Sequence, residues 1–384
     1  MSVRSSRGLE VRCVVMRGGA TRGLFFHPGD LPSDPVERDR ALMAAVGGPD
    51  PRQVDGIGGA DLLLSKVALV WPSDQTDVDV ECRFGSVTPG SGVIKYGANC
   101  GNLASAVACF AQDEGLVDPS RKVVRVYNTD SGTMMEARVG GSFDCLEARR
   151  QGMPPTGKRV ELTLLRPAGT AGGALLPTGR LREDLCLPDG RRVSASIVDA
   201  GAQYVFLLAA DLGIDIAASG ARWASDAERM NMLENLRGQA AVLAGLAASP
   251  VEALARTPAV PKLALMGPGV AHNREESGSP VAAADVDLVG RIVSSQCLHQ
   301  GYAVTGAIAT VSASLVRGSV VHALVGEAKS ETERRLRIGH PSGVLECTVA
   351  YTRAEETLRV LHASVWRTAR RIMEGRIHIP EARV

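Results

Sequence analysis

Two segments without charged residues constrain the fold of this chain most strongly. They are NLASAVACFA, which begins at Asn102, and GAIATVSASLV, which begins at Gly306. In both, apolar residues recur at the three- and four-residue spacing of an α-helix. A helix that is apolar on most sides must be surrounded by protein. Because short aliphatic and β-branched runs separated by turns fill much of the remaining chain, we expect each helix to run through a curved sheet.

The two segments also align with each other. When ANCGNLASAVAC is placed over AVTGAIATVSAS, Gly101 falls opposite Gly306 and Cys100 falls opposite Thr305. The match is short, and chance similarity is the alternative. If the match reflects a repeat, it predicts two related halves, each with a buried helix that begins near a glycine.

Length and composition favour two domains and no charged macromolecular partner. A chain of 384 residues exceeds one ordinary core. The Gly- and Pro-rich stretch RPAGTAGGALLPTGR and the residues after it place the boundary near 185, with domains at 1–185 and 186–365. The net charge of +1 gives no broad footprint for nucleic acid or a membrane surface. No signal peptide or membrane span is visible, so we expect a cytoplasmic protein.

Several common reaction classes lack their motifs in this sequence. The eight cysteines form no CxxC pair, and HExxH, P-loop and GxSxG motifs are missing, as is a convincing GxGxxG. The absence of these motifs argues against a metalloenzyme, an NTPase, an ordinary serine hydrolase and a nucleotide-dependent dehydrogenase. We therefore expect no metal and no cofactor.

Cys100 lies directly before one of the two predicted helices. The first N–H groups of a helix have no intrahelical acceptor, and with the helix dipole they favour a thiolate or a bound carboxylate. We therefore expect the pKa of Cys100 to be lowered and its thiol to exchange a proton near neutral pH. The alternative is a buried, inert cysteine.

Lys66 lies in the apolar run LLLSKVALVW. Strand alternation would place it on one face with Leu62, Leu64, Ala68 and Val70. Such a lysine either protects a sheet edge from aggregation or is a partly desolvated base. The sequence alone leaves both readings open.

The loop MRGGATRG is suited to binding an anion. Its glycines expose backbone N–H groups, Arg17 and Arg22 supply guanidinium groups, and Thr21 supplies a hydroxyl. Guanidinium groups pair with carboxylates through two parallel hydrogen bonds. A β-turn with solvated arginines is the alternative.

Taken together and in order, seven motifs resemble those of the PrpF family. They span Met16 to Gly375 and read MRGGATRG, QVDGIGGADLLLSKVALV, GANCGN, LLPTG, AVTGA, GHPSG and RTARRIMEG. The family is similar in fold to diaminopimelate epimerase. The resemblance implies an α+β chain of two pseudo-repeated domains, each a β-barrel wrapped around a central helix, with the active site in the cleft between them. It also implies that residues 366–384 return to the first domain.

The resemblance further implies a cofactor-independent isomerase that shifts a double bond by allylic (1,3) proton transfer in an unsaturated di- or tricarboxylic acid. Examples in the family are 4-oxalomesaconate tautomerisation and 2-methylaconitate cis-trans isomerisation. A small polycarboxylate is then the expected partner, and a homodimer remains open. The lysine–cysteine pair of the family falls on Lys66 and Cys100. The residues expected to contact the substrate are Arg17, Thr21, Arg22, Ser65, Gly101, Asn102, Thr305, Gly306, His340 and Ser342.

Two departures from the family pattern concern substrate choice. The usual loop MRGGTSKG has Thr, Ser and Lys where this chain has Ala20, Thr21 and Arg22, and the stretch before Lys66 is the apolar ADLLLSK. For His340 and Ser342, a turn that only connects two strands is an equal alternative.

Two other functions remain open at this stage. An amino-acid or hydroxyacid epimerase on the same fold is disfavoured by Thr305, because an unassisted hydroxyl is a poor base compared with a thiol. A non-catalytic accessory protein for an aconitase-like enzyme would tolerate the loss of Lys66.

Overall fold

The chain divides into two compact units. A computed structural model describes residues 3–5, 8–97, 99–141, 145–170, 173–218, 220, 225–294, 296–355 and 357–380. The first unit comprises Met1–Ala148, Met153–Thr163 and Trp366–Val384, and the second comprises Arg149–Gly152 and Leu164–Val365. The contacts thus group the C-terminal segment with the first unit.

The main boundary lies near residue 164 rather than near 185. The segment after β9 (Lys158–Leu165) is hydrogen-bonded to the end of β11 (Arg192–Asp199) in the second unit. The amide of Gly169 donates to the carbonyl of Asp199 over 2.9 Å, and the Asp199 amide donates to Leu175 over 2.9 Å. The described residues on both sides of the middle of the Gly- and Pro-rich stretch are therefore bonded to the second unit.

The first unit is built from strands around one central helix. Its helices are α1 (Pro35–Val46), α2 (Gly101–Asp113) and α3 (Cys145–Arg150), the last of which ends in residues grouped with the second unit. A short 3-10 helix covers Pro28–Asp30. Besides β9, its strands are β1 (Val3–Ser5), β2 (Gly8–Gly18), β3 (Thr21–Phe26), β4 (Lys66–Pro72), β5 (Val80–Val87), β6 (Ile94–Lys95), β7 (Val123–Asn128) and β8 (Thr133–Val139).

The second unit contains a comparable set of elements. Its helices are α4 (Ala227–Leu243), α5 (Pro250–Arg256), α6 (Val304–Leu315) and α7 (Val320–Val325), with 3-10 turns at Ala210–Leu212 and Ala283–Asp285. Besides β11, its strands are β10 (Glu183–Cys186), β12 (Gln203–Leu208), β13 (Lys262–Pro268), β14 (His272–Asn273), β15 (Pro280–Val281), β16 (Leu288–Ser294), β17 (Cys297–Leu298), β18 (Glu333–His340) and β19 (Gly343–Ala354). The long β20 (Thr357–Ile379) pairs first with β19 and later with β2.

The two units share one order of strand pairing. In the first, the pairs β2–β3, β3–β4, β4–β5, β5–β7 and β7–β8 are antiparallel, parallel, antiparallel, parallel and antiparallel. In the second, β11–β12, β12–β13, β13–β16, β16–β18 and β18–β19 follow the same series. In each series, the central helix lies between the fourth and fifth strands in sequence. The predicted pair of related halves is confirmed.

Each charge-poor helix is buried within its own unit. All residues of α2 from Gly101 to Gln112 are buried, and the helix contacts β2, β3, β4, β7 and β8. All residues of α6 are buried, and it contacts β11, β12, β18 and β19. The expectation that strands surround both helices is confirmed.

Strand β3 shows how alternation builds two layers of core. Phe25 points toward α2, where its ring lies 5.4 Å from that of Phe110. Leu24 and Phe26 point to the other face and join the apolar cluster that includes Leu42 of α1. Burial of each such side chain contributes about 1.5–3 kcal/mol. The sheet is thus apolar on both faces, with α2 inside and α1 outside.

The described residues contain neither a candidate membrane-spanning helix nor a candidate metal-binding cluster. None of the helices there has the length and apolar character required to cross a membrane. No group of three or more His, Cys, Asp or Glu side chains in those residues is arranged to hold a metal ion.

Candidate active site in the first unit

Helix α2 begins at Gly101, immediately after Cys100. Cys100 is the N-cap residue, is partly exposed, and makes no side-chain capping bond. Its carbonyl accepts the first intrahelical bond, from Ala104 over 2.8 Å. The thiol therefore stands at the end of the helix where N–H groups lack intrahelical acceptors.

The residue before Cys100 is fixed by a polar network that sequence reasoning missed. Asn99 donates to the Thr133 hydroxyl over 2.8 Å. Its side-chain oxygen accepts from Asn128 over 2.8 Å and from the Ser131 hydroxyl over 2.7 Å. Three bonds from one side chain thus hold the Cys100 loop on the turn between β7 and β8. The only sequence signal was the polar run NTDSGT, which also fits an ordinary turn.

The β2–β3 turn packs directly against the start of α2. A Cβ on Gly18 would lie 2.1 Å from the carbonyl oxygen of Asn102, and one on Gly19 would lie 2.4 Å from its side-chain oxygen. The side-chain amide nitrogen of Asn102 donates to the Thr21 hydroxyl over 3.2 Å, and Nε of Arg367 donates to the Asn102 side-chain oxygen over 3.1 Å. The glycines of MRGGATRG therefore permit a close approach between a turn and a helix.

Lys66 begins β4 beside this turn. It pairs with Gly23 of β3 on one side and with Ser86 of β5 on the other. Its Nζ donates to the Ser86 hydroxyl over 2.7 Å, and none of the carboxylates in the described ranges lies within 4 Å of it. A Cβ on Gly23 would lie 3.1 Å from both the Leu103 side chain and the Lys66 carbonyl. The start of β4 and the first turn of α2 therefore meet at β3.

The expected alternation before Lys66 is wrong. Residues 61–64 form a turn in which the Asp61 carboxylate accepts from the Leu63 amide over 2.7 Å and its carbonyl accepts from Leu64 over 3.1 Å. Leu62 and Leu64 therefore do not share a strand face with Lys66. A local Asp-centred turn overrides the apolar run.

Ser65 is fully buried and bonded to the protein. Its hydroxyl donates to the side-chain oxygen of Gln53 over 2.6 Å, and its carbonyl accepts from the Val87 amide over 2.9 Å. The same Gln53 oxygen accepts from Ala60 over 2.9 Å. These contacts orient the start of β4, and a substrate contact for Ser65 stays a prediction.

The two arginines of the first loop differ in their contacts. The buried Arg17 guanidinium donates to the Gly19 carbonyl over 2.8 Å, to the Thr368 hydroxyl over 2.9 Å and to the Thr156 carbonyl. Burial lowers the pKa of Arg17 to about 10. Arg22 is partly buried and makes a 3.3 Å bond to the Ile57 carbonyl. Arg17 thus ties the loop to β20, and carboxylate binding by either arginine stays a prediction.

Four candidate residues lie in the second unit. Thr305 and Gly306 are in the first turn of α6, where the Thr305 hydroxyl is 3.1 Å from that of Tyr204. At the β18–β19 turn, the Ser342 amide donates to Nδ1 of His340 over 3.2 Å, and the Ser342 hydroxyl donates to the Gln300 carbonyl over 2.5 Å. The structure therefore brings Thr305 and Gly306 together in α6, and His340 and Ser342 together in the β18–β19 turn. Substrate contacts of all four residues stay predictions.

Comparison with known proteins identifies the family. The sequence model described as "PrpF protein" matches residues 9–380. The chain belongs to the PrpF family. It is 33% identical to the 3-methylitaconate isomerase of Eubacterium barkeri, covering 98% of this chain and 99% of that protein. It is 31% identical to the 2-methyl-aconitate isomerase of Shewanella oneidensis, covering 97% and 98%, and 32% identical to the 4-oxalomesaconate tautomerase of Pseudomonas putida, covering 95% of each. The protein is an isomerase.

Solved structures agree with this assignment. The crystal structure of a methylitaconate-delta-isomerase superposes with a TM-score of 0.77 at 32% identity, covering 98% of this chain and 97% of that one. A hydroxyproline epimerase from Agrobacterium vitis superposes with a TM-score of 0.56 at 12% identity, covering 99% and 95%. The second likeness establishes only the fold. The predicted fold class and family are both confirmed.

Proposed function

We propose that this PrpF family member shifts a double bond by 1,3 proton transfer in an unsaturated di- or tricarboxylic acid. Lys66 and Cys100 act as the acid–base pair. The observation that carries the proposal is that the start of β4, which contains Lys66, and the start of α2, which follows Cys100, meet at β3. The relatives' names, which specify methylitaconate, methyl-aconitate and oxalomesaconate, support the substrate class.

The reaction requires one proton to leave and one to return. The base removes an allylic proton beside a carboxylate, and the electron pair spreads into a dienolate over the three-carbon unit. The acid then delivers a proton to the far carbon, so the double bond moves and no electrons are gained or lost overall. Donors already directed at the developing charge lower the barrier. The N–H groups at the start of α2 are such donors.

The surroundings of Lys66 are suited to proton exchange. Its Nζ is bonded to the hydroxyl of Ser86 and has no carboxylate within 4 Å among the described residues. Loss of its proton would therefore break no ion pair there. Ser86 accepts from the ammonium and, by rotating its hydroxyl, donates to the neutral amine.

The direct test follows label uptake in heavy water by NMR, with methylitaconate, methylaconitate and oxalomesaconate as substrates. We expect deuterium at the carbon that gains the proton, together with movement of the double bond. Label at a stereocentre without double-bond movement would instead indicate an epimerase. No uptake from any of these acids would argue for an accessory protein.

The role of the thiol is tested with Cys100→Ser. We expect turnover to fall by roughly 10²–10⁴-fold while the unfolding midpoint stays close to wild type. Cys186→Ser is the matched control, because Cys186 is exposed and lies in the second unit. Equal turnover in the Cys100 variant and wild type would remove Cys100 from the mechanism.

A further inference from the structure

The first unit contains a cavity of about 540 Å³ away from Lys66 and Cys100. It lies at the carboxyl ends of β3 and β4, between Pro28 and Trp71. Lys66 begins β4 and Trp71 lies near its end, so a rise of about 3.3 Å per residue separates them by roughly 16 Å. The volume is within the range of small-molecule sites.

The cavity wall contains the guanidinium of Arg38, which has no acceptor among the described residues. The Arg38 side chain makes no hydrogen bond or ion pair with any residue in the described ranges, and its Nε is buried. Most buried polar groups in proteins have a hydrogen-bond partner. The Arg38 guanidinium therefore has donors available for an anion.

A second arginine in the wall is only partly used. Nε of Arg83 is bonded to both carboxylate oxygens of Asp130, over 2.8 and 2.9 Å, and its guanidinium carbon lies 4.0 Å from the centre of the Tyr96 ring. Its two terminal nitrogens bond to no acceptor in the part of the chain that the structure describes. The two arginines and one aspartate leave one positive charge in excess.

The remaining wall is largely apolar. Leu69 is buried, and Pro28 and Trp71 also line the cavity. The indole N–H of Trp71 donates to Glu81 over 3.1 Å, which holds the ring in one orientation. A ligand that fits this wall has an apolar body that packs on the indole and an anionic group that reaches Arg38.

We propose that this cavity binds a small carboxylate with a planar apolar body, at a site distinct from the one that contains Lys66 and Cys100. The carboxylate pairs with Arg38 through two parallel hydrogen bonds, the geometry that guanidinium favours. The ring packs against Trp71 and Leu69. The proposal is independent of the reaction that the first site catalyses.

The test measures binding of benzoate to the full chain by calorimetry, with benzamide as the neutral probe of the same shape. We expect millimolar binding of benzoate, as its size allows, and binding of benzamide weaker by roughly tenfold or more. Arg38→Gln should weaken benzoate by a similar factor. Arg40→Gln, an exposed arginine of the same helix, should leave binding unchanged.

A second measurement does not depend on the Arg38 variant folding. In protein with ¹⁵N-labelled tryptophan, benzoate should shift the indole N–H signal of Trp71, which Trp71→Phe identifies among the three tryptophans. Lys66→Met and Cys100→Ser should retain benzoate binding. Loss of binding in those variants would mean that benzoate occupies the first site, and would overturn the proposal.

Three further outcomes would also overturn it. They are equal binding of benzoate and benzamide, a loss of binding in Arg40→Gln as large as that in Arg38→Gln, and no Trp71 shift at about 20 mM benzoate, where a ligand of this size should be detectable.

Discussion

The starts of α2 and α6 occupy equivalent places in the two units but differ in chemistry. At α2, Cys100 is partly exposed and precedes the helix, and Asn102 is bonded to Thr21 and Arg367. At α6, the aligned Thr305 is buried within the first turn, and its hydroxyl faces that of Tyr204. The equivalent place thus holds a partly exposed cysteine before the helix in one unit and a buried hydroxyl pair in the first turn of the helix in the other.

The third strand of the shared pairing series begins with a lysine in both units. β4 reads KVALVWP and β13 reads KLALMGP, and each lysine begins a strand that is paired in parallel with its predecessor. Lys66 donates to Ser86, whereas Nζ of Lys262 lies 5.5 Å from the centre of the Tyr204 ring. The two units thus share a strand order, while the side chains around the two lysines differ, and the mechanism proposed above uses only the lysine of the first unit.

The largest expected effect is on turnover, and it distinguishes Lys66 from Lys262. Lys66→Met should lower turnover by roughly 10²–10⁴-fold, the range for loss of an acid or base. Lys262→Met should lower it by less than roughly tenfold, because the proposed mechanism does not use this amine. Steady-state rates on the best substrate would decide. Similar losses in both variants would break the comparison and bring the second lysine into the chemistry.

Alanine substitutions of Gly18, which packs against the start of α2, and of Gly306, in the first turn of α6, should lower stability by different amounts. Gly18→Ala places a Cβ 2.1 Å from a backbone carbonyl of α2, which cannot move without the helix, and we expect a loss of about 3 kcal/mol. In Gly306→Ala the new Cβ meets the terminal methyl of Ile292 at 2.6 Å and the Tyr204 hydroxyl at 3.1 Å; because these are side-chain ends rather than backbone, the change should cost about 1 kcal/mol. Urea unfolding measures both. A larger loss for Gly306→Ala would show that α6 is the more tightly packed helix.

The far end of α2 carries an ion cluster centred on Glu114. Burial alone would raise the pKa of Glu114, but hydrogen bonds from Arg12, His27 and Arg371 outweigh it and hold the pKa at about 2. Because this is below the ordinary value of 4.5, the stabilisation is complete above about pH 4.5 and is lost as the pH falls toward 2.

Glu114→Gln should therefore lower the free energy of unfolding by roughly 1.5–3 kcal/mol at pH 7. The difference in free energy of unfolding between this variant and wild type should shrink as the pH falls from 4.5 to 3. Glu374→Gln is the control, since this exposed carboxylate pairs with two of the same arginines, Arg12 and Arg371, and should cost less than about 1 kcal/mol. A pH-independent difference for Glu114→Gln would mean that packing, not charge, accounts for its effect.

The smallest expected effect concerns Tyr204. Tyr204→Phe removes the hydroxyl that faces Thr305 and should cost about 1 kcal/mol of stability. Turnover should stay near wild type, because the pair lies in the second unit, where the mechanism places neither acid nor base. A fall in turnover of roughly tenfold or more would show that the start of α6 takes part in the reaction.

The local sequence was sufficient to predict the two central helices, in which apolar residues recur at helical spacing. The spacing of apolar residues predicted both central helices, and α2 begins where the glycine after Cys100 indicated. The short alignment of the two segments predicted the repeat that the strand pairing shows. The ordered motifs predicted the family and the fold. Each of these signals is contained in a short stretch of residues or in the order of such stretches.

Only the tertiary structure decided which distant groups meet. Arg17 bonds to Thr368, and Gly169 and Leu175 each bond to Asp199 at the end of β11. The cavity at Arg38 likewise combines residues from a helix, from the two strands β4 and β5, and from the segments that follow β3 and β7. A periodic pattern reports whether a residue is buried, because burial depends on its own element. It does not report which acceptor a buried donor finds, because that acceptor can lie hundreds of residues away.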